Sequence, residues 1–385
     1  MQIFIFTDHY LPGYKAGGPI RTLTNMVDRL GDEFRFKIVT ADRDSGDEKP
    51  YPDVTVDGWN RVGKAEVFYM SPKRRSLQDF SRLLCSSEYD ILYLNSFFSP
   101  HSTIKLLLLK KFQGTPDKPL IVAPRGEFSP GALGLKTLKK RVYLLLAKAL
   151  GLYRGIVWQA SSRYEEADIR RCFGNHVLVV VAPNLPTLVQ KTKDQLLQCE
   201  KTAGRLKIVF LSRITRKKNL DGALKILKSL NGKVQFNIYG PLVDMNYWAK
   251  CRKIISTLPE NIKCRYQGVV EHDRVSSVLA EHNLFFLPTL GENFGHVILE
   301  ALVAGCPVLL SDQTPWHDLE KKGVGWDLPL NRQNMFWEAL QRCIDMENAE
   351  YIKWSGRARE YGRQVLENDE VIEQNRRLFY KVVQM

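Results

Sequence analysis

The chain has 385 residues, 44% hydrophobic and 25% charged, which excludes global disorder, collagen and coiled coil and suits two soluble domains of roughly 150–200 residues. Its 56 Lys and Arg against 42 Asp and Glu leave a net charge of +14, which favours anionic partners such as nucleotides, phosphorylated lipids, membrane head groups or nucleic acid. No stretch approaches the roughly 20 apolar residues of a membrane span, and the 7 scattered cysteines match neither a disulfide framework nor a zinc site.

The N-terminal MQIFIFTDHYLP lacks a basic region and a cleavage site, so it reads as a first strand rather than a secretion signal. Strands are expected at Ile3–Phe6, Phe36–Thr40, Glu66–Tyr69, Ile91–Leu94, Leu120–Ala123, Ile156–Gln159 and Val177–Val181, with helical patterns between them. Gly17 and Gly18 lie between the first strand and its helix, where glycine lets the backbone approach a ligand and offers free amides; Arg21 follows one turn on. Asp42–Asp44 is formally a D-x-D but reads as a polar loop. The turn IVAPRGEFSPGAL after the fifth strand carries Arg125 and Glu127. From Phe128 to Tyr164 there are 7 Lys or Arg and no Asp or Glu. There Leu138, Val142, Leu145, Ala149 and Leu152 form one helical stripe, with Lys136, Lys139 and Lys140 opposite and Arg141 and Lys148 at its edge. That stripe either packs into the core or rests on an anionic membrane, with Ile104–Phe112 adding to it.

Residues 186–205 are polar and proline-bearing and read as a linker. A second series follows, at Lys207–Leu211, Val234–Tyr239, Lys263–Tyr266, Leu284–Leu287 and Pro307–Leu310. The alternation in both halves implies an α/β fold of two Rossmann-like, doubly wound domains with parallel sheets facing a cleft, 1–185 and 206–365. The last helix, about 366–385, is expected to pack back on the first domain. Ligands of such sheets bind at the carboxyl ends of strands. Arg213 and Lys218 follow one strand directly. After Leu284–Leu287 comes a turn, then a helix expected to begin near Phe294. The amides of Asn293, Phe294, Gly295 and His296 would point from that helix start, which suits a phosphate or sugar oxygen. Glu292 precedes the helix and Glu300 lies within it, so each carboxylate could accept sugar or ribose hydroxyls.

Glu292 and Glu300, set in GENFGHVILEALVAGCPV, resemble the E-x7-E motif of retaining glycosyltransferases of family 4, which have the GT-B architecture. The resemblance covers most of the chain, is strongest from about Leu206 to Trp316, and extends through SDQTPW to bacterial members that build surface polysaccharides. It implies that Glu292 contacts the donor sugar and Glu300 the ribose. KIVFLSRITRKKNLDGAL is similar to the family's G-R-x-x-x-x-K element, with Ser212 in place of glycine, and implies that Arg213 and Lys218 bind the donor diphosphate. Gly17 and Gly18 resemble its N-terminal glycine loop, Gly240 its glycine turn near the nucleotide, and Val270 lies where the backbone reads the base. Many members carry a histidine where this chain has Arg125, Gly126 and Glu127, so these two charged residues are the candidates near the reacting carbon.

The resemblance therefore implies transfer of a sugar from a nucleotide-diphosphate sugar, UDP or GDP, to a hydroxyl with retention, without metal or further cofactor. The acceptor expected is a glycan or a polyprenyl-diphosphate-linked glycan. The place expected is the cytoplasm, peripheral on the inner membrane face through 104–112 and 136–154. One rival is a nucleotide-sugar epimerase of the same architecture, which needs no acceptor. Another is a basic nucleic-acid-binding protein, disfavoured because basic and aromatic residues do not interleave on one face. A nicotinamide enzyme is disfavoured because no G-x-G-x-x-G follows the first strand.

Overall fold

The computed structural model describes residues 1–112, 114–134, 137–187 and 199–385. The chain divides into two units, Met1–Leu188 with Asn368–Met385, and Val189–Glu367. Residues 188–198 of the expected linker, and Lys136 of the expected basic face, lie outside the described residues.

In the first unit the strands are β1 (Gln2–Phe6), β2 (Arg35–Ala41), β3 (Trp59–Val62), β4 (Ala65–Met70), β5 (Ile91–Leu94), β6 (Leu120–Val122), β7 (Val157–Ala160) and β8 (Leu178–Val181). They form one sheet in the order β3-β4-β2-β1-β5-β6-β7-β8. β1 pairs parallel with both β2 and β5, so the winding direction reverses beside it. The inner strands are buried on both faces, which is why they read as continuous Val, Ile, Leu and Phe runs rather than alternating patterns. One face packs Ile3, Ile5, Leu23, Phe34 and Phe36 with Leu378, Phe379 and Val382 of helix Asp369–Val383. Hence the C-terminal helix belongs to the first unit. The other face packs Phe97, Phe128, Tyr153, Trp158 and Ile169.

The second unit holds β9 (Arg205–Leu211), β10 (Lys233–Tyr239), β11 (Ile262–Gly268), β12 (Leu284–Leu287), β13 (Val308–Ser311) and β14 (Gly325–Leu328). Their order is β11-β10-β9-β12-β13-β14. β9 lies between β10 and β12, all parallel, so its carboxyl end and that of β12 flank the crevice where strand order reverses.

Two strands differ from the sequence expectation. β3 pairs antiparallel with β4 and is an edge strand, so its WNRV lacks an apolar run and the sheet is not wholly parallel. β14 is four residues of GWDL, too short and too glycine-bounded to announce itself; its pairing with β13 decides it.

The helices expected to carry basic residues diverge. In Lys105–Lys111, Leu106 and Leu107 are fully buried, so the 104–112 run mostly belongs to the core and leaves Phe112 outside. In Thr137–Ala149, by contrast, Leu138 and Leu145 are 76% and 69% exposed, and Val142 is exposed with them. That helix seats itself through Ala147 and the half-buried Tyr143 and Leu144, one position off the expected stripe. Core packing of Leu138, Val142 and Leu145 is therefore excluded. Among the described residues no helix is long and apolar enough to cross a membrane.

Candidate active site

The second unit gathers Arg213, Lys218 and Glu292 at the crevice between β9 and β12. β9 ends at Leu211, and the chain turns through Ser212 and Arg213 into a short 3-10 turn, Arg216–Lys218. The turn closes on Asn219, which has left-handed backbone (φ 58°) and begins helix Leu220–Leu227. The loop after β12 is fastened to that turn. The Leu290 amide donates to the Lys217 carbonyl at 2.8 Å, the Thr289 hydroxyl to the same carbonyl at 3.0 Å, and the Asn219 side-chain amide to the Pro288 carbonyl at 2.9 Å. A basic turn and an acidic loop 74 residues apart thus meet, and Lys218 Nζ donates to Glu292 Oε2.

Burial alone would raise the Glu292 carboxyl, but Lys218 and Lys217 outweigh it and hold the carboxyl below its usual range. Burial lowers the Arg213 guanidinium from its usual range, with Glu292 opposing. All three side chains therefore share one partly desolvated field, where each charge is worth more than in water.

Gly240 lies against the start of this turn. Its φ is 126°, and a Cβ there would meet the Ser212 carbonyl oxygen at 2.1 Å. The Gly240 amide donates to the Gly268 carbonyl at 2.8 Å, which draws the segment after β11, with the half-buried Val270, alongside. Ser212 causes no difficulty in this position: its amide donates to the Tyr239 carbonyl at 3.1 Å.

The helix after Glu292 is His296–Val303, capped by Gly295 with φ 78°, two residues later than expected. Asn293, Phe294 and Gly295 form the turn before it. The Asn293 amide closes on Glu292 Oε1 at 3.3 Å rather than pointing outward. Trp316 of the SDQTPW segment donates its indole N–H to the Phe294 carbonyl, fixing that turn from behind. Glu300 lies half-buried in the helix.

Gly17, Gly18, Arg125 and Glu127 belong to the first unit. Gly17 caps helix Gly18–Leu30. The loop before it is held by Asp44, whose carboxylate accepts from the Tyr14 and Lys15 amides at 2.8 and 3.0 Å. Asp42 is paired with Arg43, so both carboxylates of the D-x-D are committed to the protein. Arg125, at φ 55°, forks into a polar network, donating to Asn95 Oδ1 at 2.8 Å, to Asn184 and to the Tyr93 hydroxyl. Burial pushes the Tyr93 phenol up to about 12. Glu127 accepts from the Phe97 amide at 2.6 Å, the Phe98 amide at 3.1 Å and the Ser96 hydroxyl at 3.0 Å. Its carboxylate braces the loop after β5, while burial raises its carboxyl from the usual range. Tyr93, Asn95 and Asn184 were missed in the sequence; Asn95 had the signal of following a strand directly, as Arg125 does.

Residues 193–364 match the family model of glycosyl transferases group 1. Within that stretch, which falls in the second unit, the chain is similar to group 1 glycosyl transferases. A protein of Klebsiella pneumoniae described as an uncharacterized 41.2 kDa protein in the cps region is 23% identical to this chain over 243 residues, 62% of this chain and 64% of that protein. Among solved structures, the sucrose-phosphate synthase of Thermosynechococcus elongatus matches with a TM-score of 0.71 at 15% identity, over 99% of this chain and 98% of that one. The Anabaena protein HepE, in complex with UDP and glucose, matches with a TM-score of 0.67 at 16% identity over all of both chains. The chain has the GT-B fold, with two Rossmann-like α/β domains.

Proposed function

We propose that this chain is a retaining, metal-independent glycosyltransferase of family 4 that moves a hexose from a UDP- or GDP-sugar to a hydroxyl of a glycan or a polyprenyl-diphosphate-linked acceptor in bacterial surface-polysaccharide synthesis. The observation that carries the donor site is the meeting of Arg213, Lys218 and Glu292 at the β9–β12 crevice. A diphosphate there would take Lys218 and Arg213 as counter-charges, while Glu292, now the acceptor for Lys218, would turn to donor-sugar hydroxyls. Glu300 would hold the ribose. The turn amides of Asn293, Phe294, Gly295 and His296 would face the diphosphate, and Gly240 and Val270 the nucleoside. HepE with bound UDP and glucose supports a nucleotide sugar, and the cps-region relative supports the pathway class.

The chemistry follows from the charges. Negative charge grows on the departing diphosphate, and a fixed Arg–Lys clamp stabilises it. Attack comes from the leaving-group face, with a donor phosphate oxygen taking the acceptor proton. The protein's work is positioning and charge stabilisation. The first unit would contribute groups of its own, the Gly17 and Gly18 backbone as a ligand contact and Arg125 as a charged group, with Glu127 bracing the loop after β5.

The test is a thermal-shift screen of UDP-, GDP- and ADP-sugars, followed by hydrolysis and product analysis on the sugar that stabilises. A ligand at a hundredfold excess over its Kd adds about 2.7 kcal/mol. Lys218→Ala should lose that shift, and Glu292→Ala should lower turnover by roughly 10²–10³. Full turnover in Glu292→Ala would overturn its role, and an epimerised donor formed without acceptor would make the protein an epimerase.

The exposed Leu138, Val142, Leu145 and Leu146, flanked by exposed Lys139, Arg141 and Lys148, support peripheral attachment to an anionic membrane at the cytoplasmic face. Apolar side chains would enter the interface while each cation adds on the order of 1 kcal/mol.

A further inference from the structure

The first unit contains a small cavity at the carboxyl ends of β1, β2 and β4. Asp8, Thr40, Arg75, Phe80, His101 and Ser102 line it, and its volume is about 30 Å³, room for two water-sized groups. Buried polar atoms ordinarily find a hydrogen-bond partner. Among the described residues, Thr40 Oγ1, Ser102 Oγ and His101 Nδ1 have none, although Thr40 and Ser102 are each only 3% exposed. His101 and Ser102 lie on Pro100–Ile104, a single π-helical turn, a widened geometry frequent at functional sites. The Ser99 hydroxyl anchors that turn to Asp8.

The charges around the cavity oppose one another. Arg75 stands 3.9 Å from Asp42 and spends one donor on the Met70 carbonyl at 3.0 Å. Asp8, two residues past β1, lines the same cavity and attracts Arg75. Burial, with Lys105 and Arg75 nearby, lowers His101 from its usual range and favours the neutral ring. An anion entering would meet Asp8 and Asp42, and a cation would meet Arg75 and Lys105. A phosphate has too many heavy atoms for the space. The fitting occupant is two heavy atoms long, uncharged, and able both to donate and to accept.

We propose that this cavity seats the hydroxymethyl arm of an uncharged hexopyranose, the sugar that receives the transferred residue. Calling that sugar the acceptor rests on the transferase reading; the binding itself does not. Its hydroxyl donates to Asp8 or Thr40 and accepts from Ser102 or Arg75.

The probes are methyl glucopyranoside, galactopyranoside and mannopyranoside, with their 6-deoxy and 6-phosphate forms, followed by saturation-transfer NMR on the full chain. The expected result is saturation at the C6 protons of at least one parent glycoside, and binding about tenfold weaker for its 6-deoxy form, the size of one lost hydrogen bond that leaves protein groups unpaired. Thr40→Val and Ser102→Ala should weaken the parent similarly. Thr40→Val should leave Tm unchanged or raised, because it removes a buried hydroxyl that bonds to nothing in the protein. Three results overturn the proposal: no glycoside saturated, a 6-phosphate binding more tightly than its parent, or Thr40→Val lowering Tm by several degrees. The nucleotide-sugar shift and its loss in Lys218→Ala are read on the same preparations. Failure there removes the transferase reading and leaves the cavity result standing, and the reverse also holds.

Discussion

Lys218 and Glu292 pair with side chains 11% and 17% exposed, close enough to dry that losing one partner strands the other. Because Glu292 is held below its usual range, the pair stabilises the fold above the unfolded carboxylate range, and that contribution is lost as pH falls through the folded value. In Lys218→Met, burial is no longer outweighed by Lys218, so ionising Glu292 becomes costly and stability falls as pH rises through the ordinary carboxylate range. Stability read by urea unfolding from about pH 3 to 8 should therefore diverge from wild type toward neutrality, by about 1–3 kcal/mol; parallel curves would refute the pairing. Arg125 makes a second test. Its guanidinium serves Asn95, Asn184 and Tyr93 together, and a lysine ammonium on a single tether does not reproduce that fork. Arg125→Lys should cost about 2 kcal/mol, read by urea unfolding, and should lower turnover although charge is kept.

The loops after β9, β10 and β12 act as one piece of structure. Gly240 is the tightest point: at φ 126°, with the Ser212 carbonyl 2.1 Å from where a Cβ would stand, no other residue fits without moving β9 away from β10. Gly240→Ala should cost roughly 2–4 kcal/mol. It should also abolish the nucleotide-sugar thermal shift even where the variant folds, because Arg213 is one residue past the displaced carbonyl. A normal shift in a folded variant would show that the turn tolerates rearrangement. The helix after Glu292 depends on similar contacts. Gly295 supplies its left-handed cap, Trp316 holds the Phe294 carbonyl, and the late start at His296 follows from the turn those two residues impose. Apolar periodicity places a helix here but cannot see its cap, so the sequence expectation began it too early.

The whole molecule carries +14, and part of that charge surrounds an apolar surface on helix Thr137–Ala149 that the protein leaves uncovered. Leu138→Glu with Leu145→Glu should abolish co-sedimentation with anionic vesicles and leave Tm within about 1 °C, since exposed substitutions seldom change stability; loss of binding to neutral vesicles alone would argue against charge attraction. The contrast with Lys105–Lys111 is instructive: both segments are leucine-rich and basic, yet one is core and the other is surface. What residue order settled on its own was the alternation of buried parallel strands with helices, and the places where Arg213, Lys218 and Glu292 leave their strands, because continuous apolar runs and strand-end positions are local properties. Only the fold decided that a basic turn and an acidic loop pair across the crevice, that Glu127 braces a loop while Arg125 anchors a network, and that Thr40 and Ser102 share one cavity. Those outcomes depend on distances between segments remote in the chain, which strand pairing and side-chain packing set.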